Sequence, residues 1–227
     1  MKVLTAAIAT VALSVALAGC GDKKTETKTS TSTSTSTSTS TSTSTTTSTT
    51  PGAQAHKTIA DYVTENHITE TPVHMGDPGS PVINLPMPPG WNKLDSAGPS
   101  YGAIVLAQPA DPNDPPSIAA LVSKLTGNVD PAKILELAPG ELQNLSGYDG
   151  GNGTASTLSG FQAWQVRGSY TKLGKKRTAA QETVVIPVPA QNAVYMVQFN
   201  ADSLDVESGP LMDATKVIDE QTTITLP

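Results

Sequence analysis

The chain has 227 residues, 14 Lys and Arg against 20 Asp and Glu, a formal net charge of −6 at pH 7, and one cysteine. An acidic balance of this kind lacks the basic footprint that nucleic acid requires, which excludes that partner class. A lone cysteine excludes an internal disulfide, so the folded part must be held by its core.

Taken in chain order, the first residues read MKVLTAAIATVALSVALAG, with one positive charge at Lys2 and an apolar run from Val3 to Ala18. A short basic start followed by such a run predicts a secretory signal peptide over residues 1–19. The run is shorter than the ~20 residues that span a bilayer. Leu17-Ala18-Gly19-Cys20 then has the form of a bacterial lipobox, with small residues before the cleavage point and a thiol to carry diacylglycerol. A single acyl chain binds a membrane only marginally and two or more anchor it stably, so Cys20 is the expected lipidation site. With Cys20 acylated, no thiol remains for a nucleophile or a metal.

Every residue from Thr29 to Thr50 is Ser or Thr. Such a segment buries no apolar surface to offset its ordering entropy, and residues 20–57 are therefore expected to be a lipidated, disordered stalk. As a flexible coil it would average about 35 Å end to end. Its hydroxyls are candidate glycan sites, and the run reads equally as a spacer holding the domain off the membrane and as a neutral linker of drifting length.

The composition becomes mixed after the stalk, and residues 58–227 are the expected globular domain. From Pro51 onward there are ten Lys and Arg against eighteen Asp and Glu. Thr58 with Asp61 three residues on predicts a helix opening in capping-box form, with Ile59, Tyr62, Val63 and Asn66 on one face. VINLPMPPGW reads as extended chain turning at Pro88-Pro89-Gly90, with Trp91 just after the turn. Tyr101–Ala107 and Ile118–Thr126 read as strands joined by the proline-laden AQPADPNDPP. Asp130-Pro131 opens another helix, an Asp cap before a Pro at the first helical position. Pro139-Gly140 should divide that helix in two.

GYDGGNG reads as a flexible loop. Phe161–Tyr170, Thr178–Val188 and Ala193–Asn200 follow as three strands separated by turn residues. The cluster Lys172, Lys175, Lys176 and Arg177 around Gly174 reads as a solvated hairpin tip. A last helix starts near Gly209-Pro210, with Leu211, Thr215 and Ile218 on one face, and TITLP could add an edge strand. This order predicts an α+β domain, helices packed on a mostly antiparallel sheet.

A search for chemistry finds no catalytic constellation. His56, His67 and His74 all lie at the start of the domain, with neither G-x-S-x-G nor H-E-x-x-H anywhere. GYDGGNG precedes a strand, not a phosphate-binding helix. The run Asp111-Pro112-Asn113-Asp114 lacks the glycine and terminal Glu of a calcium loop. Paired carboxylates could do glycosidase work, but nothing in the sequence singles out a pair. Aromatic residues remain: Trp91, Tyr101, Trp164, Tyr170 and Tyr195 are candidates for a binding surface, for instance an apolar cleft between sheet and helix. The plainer reading puts them in the core.

Four stretches carry a family resemblance: TIADYVTENHITETPVHMGDPGSP, YGAIVLAQPADPNDPPSIAALVSKLTG, DPAKILELAPGEL and LMDATKVIDEQTTITLP. Together they resemble the LpqN/LpqT family of mycobacterial cell-envelope lipoproteins. The resemblance implies a Mog1/PsbP-like α/β/α sandwich and an accessory envelope protein without catalytic residues, metal or cofactor. It further implies a lipid-anchored position on the outer face of the plasma membrane. Partners in that setting would be envelope lipid transporters, mycolyltransferases or trehalose glycolipids. Two alternatives stand beside it: a shed form that meets a host protein, and an ester or glycoside hydrolase whose site assembles only in space.

Overall fold

The computed structural model describes residues 55–94 and 100–227. The signal peptide, the lipobox with Cys20 and the Ser/Thr run lie outside the described residues.

The first helix, α1 (Ile59–Glu65), opens as its sequence predicts. The Asp61 N–H donates to Thr58 Oγ1 at 3.2 Å, and the Thr58 N–H donates back to Asp61 Oδ2 at 2.9 Å. These two bonds satisfy amides that a helix start leaves free. Asn66 does not continue the buried face: it is the exposed C-cap, and its side-chain amide donates to Tyr62 O at 2.9 Å. Four short or medium strands follow: β1 (Thr69–Pro72), β2 (Val82–Asn84), β3 (Trp91–Lys93) and β4 (Gly102–Leu106). Then comes the longer β5 (Ser117–Thr126).

Asp130 caps α2 (Pro131–Leu137) by accepting from the Ala132 N–H at 2.9 Å. Pro139 separates it from the short α3 (Gly140–Gln143), as expected. The Gly-rich stretch is more ordered than a flexible loop. It contributes β6 (Asp149–Gly150) and leads into β7 (Thr154–Leu158), two strands the sequence reading did not anticipate. Three long strands complete the sheet: β8 (Phe161–Lys172), β9 (Lys175–Val188) and β10 (Ala193–Leu204). Leu173 and Gly174 join β8 to β9 with φ of 53° and 74°, a two-residue left-handed turn that matches the twist of a hairpin. The chain ends in α4 (Ser208–Gln221) and β11 (Thr223–Thr225).

The main sheet runs β3-β4-β5-β10-β9-β8-β6, with β1 also on β5 and β7 also on β8. Every pairing is antiparallel. TITLP does form a strand, but not on this sheet: β11 pairs with β2 in a separate two-stranded ribbon.

Helices cover both faces. On one face Tyr195, Val197 and Phe199 of β10 pack with Val184 and Ile186 of β9 under Leu211, Ala214 and Ile218 of α4. On the other, Val194 and Met196 of β10 and Val185 of β9 meet Ile59, Tyr62 and Val63 of α1 and Ile134 of α2. A third cluster places Val166, Tyr170 and Ala179 under Leu142 of α3. The period of two along a strand sends alternate residues to opposite layers, which is why β9 and β10 are apolar almost throughout. Each fully buried aliphatic side chain in these layers stabilises the fold by about 1.5–3 kcal/mol. The protein is an α+β sandwich of helices on a large antiparallel sheet.

Candidate functional site

The five aromatic candidates are not brought together. Trp91, Tyr101 and Tyr195 are buried in the α4-side core, and Tyr170 is buried under α3. Trp164 is half-buried on the opposite face from Tyr195, beside α2. Their polar atoms are engaged as well. The Ile83 N–H donates to Tyr101 Oη at 3.2 Å, and Tyr195 Oη lies 2.8 Å from Gln191 Oε1. Tyr170 donates to Asp202 at 2.7 Å, and its phenol is pushed up to about 12 by burial and then by that carboxylate.

Trp164 alone among the five stands beside the groove under α2 and α3. Its indole N–H donates to Asn152 O at 2.8 Å, which fixes the ring at the edge of this groove of about 910 Å3 between α2–α3 and β7–β8. Leu135, Leu137, Pro139 and Ala155 supply apolar wall, and Gln143 and Gln162 supply amides. The described segment enters here too: Asn144 holds His56 through its N–H and its carbonyl, at 2.8 and 2.7 Å. Tyr101 belongs to a separate cavity of about 640 Å3, lined by Met75, Leu85, Met87 and Ile104.

The other prominent site was not legible in the sequence. A cavity of about 660 Å3 lies beneath the flank of α4, over β8, β9 and β10. Met212, Lys216 and Asp219 line it from the helix, and Gln165, Glu182 and Phe199 from the sheet. Glu182 is 5% exposed. Its Oε1 accepts from Ser156 Oγ at 3.2 Å and from Gln165 Nε2 at 3.1 Å. Oε2 is buried and closes no hydrogen bond of normal geometry. Burial raises the Glu182 carboxyl and the nearby Asp219 raises it further, while Ser156 and Gln165 work the other way. Asp219 is raised as well, chiefly by burial. The two titrate together, each carboxyl resisting ionisation more than an exposed one would.

Lys172, Lys175 and Lys176 of the basic cluster are exposed at the tip of the β8–β9 hairpin, as their sequence predicts, but Arg177 is not. Arg177 is buried; its guanidinium donates to Asp114 Oδ2 at 2.6 Å and, through Nε, to Asp202 Oδ1 at 2.8 Å. Burial works against its charge, but the two carboxylates outweigh that and hold it above its ordinary value. Arg177 and Lys175 thus pin the proline-laden loop to the hairpin, Lys175 lying 3.7 Å from Asp111. His67 and His74 line neither site: His67 is exposed, and His74 is exposed with Nδ1 3.6 Å from Asp77.

Residues 55–225 match the family described as "Probable lipoprotein LpqN". The chain is 63% identical to lipoprotein LpqN of Mycobacterium tuberculosis over 99% of its own length and all of the relative's. It is 25% identical to a lipoprotein LpqT of Mycobacterium leprae over 56% of this chain and 57% of that one. Among solved structures it is similar to the crystal structure of LpqN "involved in cell envelope biogenesis of Mycobacterium tuberculosis". The TM-score is 0.73 and the identity 61%, over 76% of this chain and 99% of that one. That crystallised chain folds without a counterpart to the rest of the present one. From residue pattern, fold and these likenesses together, the chain belongs to the LpqN lipoprotein family.

Proposed function

We propose that this is a lipid-anchored, non-catalytic binding protein of the mycobacterial envelope, which holds glycolipid, envelope proteins or both and assists lipid transport or assembly. The observation that carries the reading is the Trp164 groove. An indole flanked by amides, with leucine and proline walls alongside, offers a stacking surface and hydrogen bonds for a sugar ring and apolar contact for an acyl chain. The involvement of the crystallised relative in envelope biogenesis supports the setting. A lipid on Cys20 and a stalk of Ser and Thr would hold this groove within reach of the membrane surface.

The test is retention of acyl-trehalose and of envelope proteins by residues 51–227, with Trp164→Ala beside the parent. Retention that falls by about tenfold in the variant supports the groove. No retained glycolipid and no captured envelope protein, or turnover of ester or glycoside probes abolished by changing His67 or His74, overturns the reading.

A further inference from the structure

Three charged residues are buried among the described ones, Arg177, Glu182 and Glu207, and each of the two glutamates leaves its Oε2 without a hydrogen-bond partner. Arg177 lies between Asp114 and Asp202. Glu207 stands at the start of α4, where the helix dipole favours a negative charge, and accepts from the Ala110 N–H at 2.7 Å. Glu182 and Asp219 differ. No Lys or Arg among the described residues donates a hydrogen bond to either carboxyl. Two cations line the same cavity, but Lys216 turns to Glu220 at 3.8 Å and Arg167 is exposed on the rim.

Asp219 also lies in the last turns of α4, where the dipole disfavours a carboxylate and favours a cation. The remaining neighbours of the pair, Ser156 and Gln165, are neutral; both donate to Oε1 of Glu182, and Gln165 also reaches Asp219. What the pocket lacks is therefore a cation that donates hydrogen bonds. The wall around it is apolar, with Ile118, Phe199, Met212 and Ile218.

We infer that the cavity beneath α4 binds amphiphilic amines, the ammonium seated between Glu182 and Asp219 and the hydrocarbon lying against Phe199, Met212 and Ile218. This goes beyond the glycolipid reading and uses a different cavity, so either can fail alone. With no cation between them the two carboxyls would hold one proton, because neighbouring bare carboxylates resist being charged together. An incoming ammonium supplies the missing charge, and the proton passes to solvent. Binding should thus release close to one proton per amine at neutral pH, and a neutral ligand should release none.

Calorimetric titration of residues 51–227 with octylammonium chloride and with 1-octanol, in buffers of differing ionisation heat, tests this. The expected result is a Kd for octylammonium at least about tenfold below that for octanol, with proton release seen only for the amine. Glu182→Gln with Asp219→Asn should abolish the tenfold advantage and the proton release while leaving octanol binding unchanged, which also shows that the variant is folded. If the double variant does not fold, Asp219→Asn alone, on the more exposed partner, should reduce both signals. Equal binding of the two probes, amine binding without proton release, amine binding indifferent to the substitutions, or no binding of either probe overturns the inference.

Discussion

Glu182 interrupts a strand face that is otherwise built to be dry. Ala180, Val184 and Ile186 flank it on the same side of β9, packed toward α4. A carboxyl placed there resists ionisation, so the folded protein retains a proton that the unfolded chain has released. Its folded pKa is raised to about 8, above the ordinary carboxylate value. The sign follows from linkage: the contribution is fully present below the unfolded pKa and is lost as pH rises toward the folded one. Stability should therefore fall between about pH 4.5 and pH 8 on this account. Glu182→Gln keeps an oxygen for Ser156 and Gln165 and adds a donor toward Asp219. It should raise stability at pH 8 by about 1–3 kcal/mol and flatten that slope, as read by urea unfolding at pH 5 and pH 8. An unchanged slope would mean that Glu182 is not the group retaining the proton. Gly140 makes a second residue-scale case, since a Cβ there would meet Lys57 O at 2.1 Å. Gly140→Ala should cost about 1–3 kcal/mol in the same measurement, because the atom in the way is backbone and cannot swing aside.

At the scale of elements, local chemistry was legible and partnership was not. Thr58 with Asp61, and Asp130 before Pro131, announce their helices because a cap acts within three residues. The three long strands announce themselves through apolar runs. β1, of sequence TETP, is exposed along its whole length, so no alternation marked it; its place is set by pairing with β5. β11 pairs with β2 and not with the main sheet because its partner is chosen by tertiary contact. Trp164 and Tyr195 have similar strand parity within their own segments yet face opposite layers, since parity carries no reference between strands. The same gap hid Glu182 and Asp219, which meet only once α4 lies across β9. Arg177 shows how an element is fixed by such unseen partners. Lys at this position would keep one charge but lose the fork that serves Asp114 and Asp202 together. Arg177→Lys should cost about 2–3 kcal/mol, less than the ~3–5 kcal/mol of breaking a fully buried pair, because each carboxylate side chain is 32% exposed. The urea midpoint reads the loss. A loss confined to the Asp111–Asp114 loop would appear instead as faster amide exchange there with an unchanged midpoint, and would show that the pin is local.

For the whole molecule, the question is what keeps an acidic domain at a membrane. Ten Lys and Arg against eighteen Asp and Glu leave residues 51–227 at a formal −8, and Arg177 is already spent inside the fold. Anionic lipid repels a surface of this net charge within a Debye length, which works against electrostatic attachment of the domain. Among the described residues no helix is long and apolar enough to cross a bilayer. On the proposed lipidation of Cys20 the burden falls on its acyl chains, which would supply about 0.8 kcal/mol per buried methylene whatever the charge of the domain. Cys20→Ser should consequently move the chain from the membrane fraction to the soluble one, and lowering the salt should not bring it back, because weaker screening only strengthens the repulsion. A basic or amphipathic attachment would do the reverse and rebind at low salt. Fractionation of the variant at low and at physiological ionic strength separates the two. A chain that still sediments with membranes under both conditions would mean that something other than the thiol holds it there.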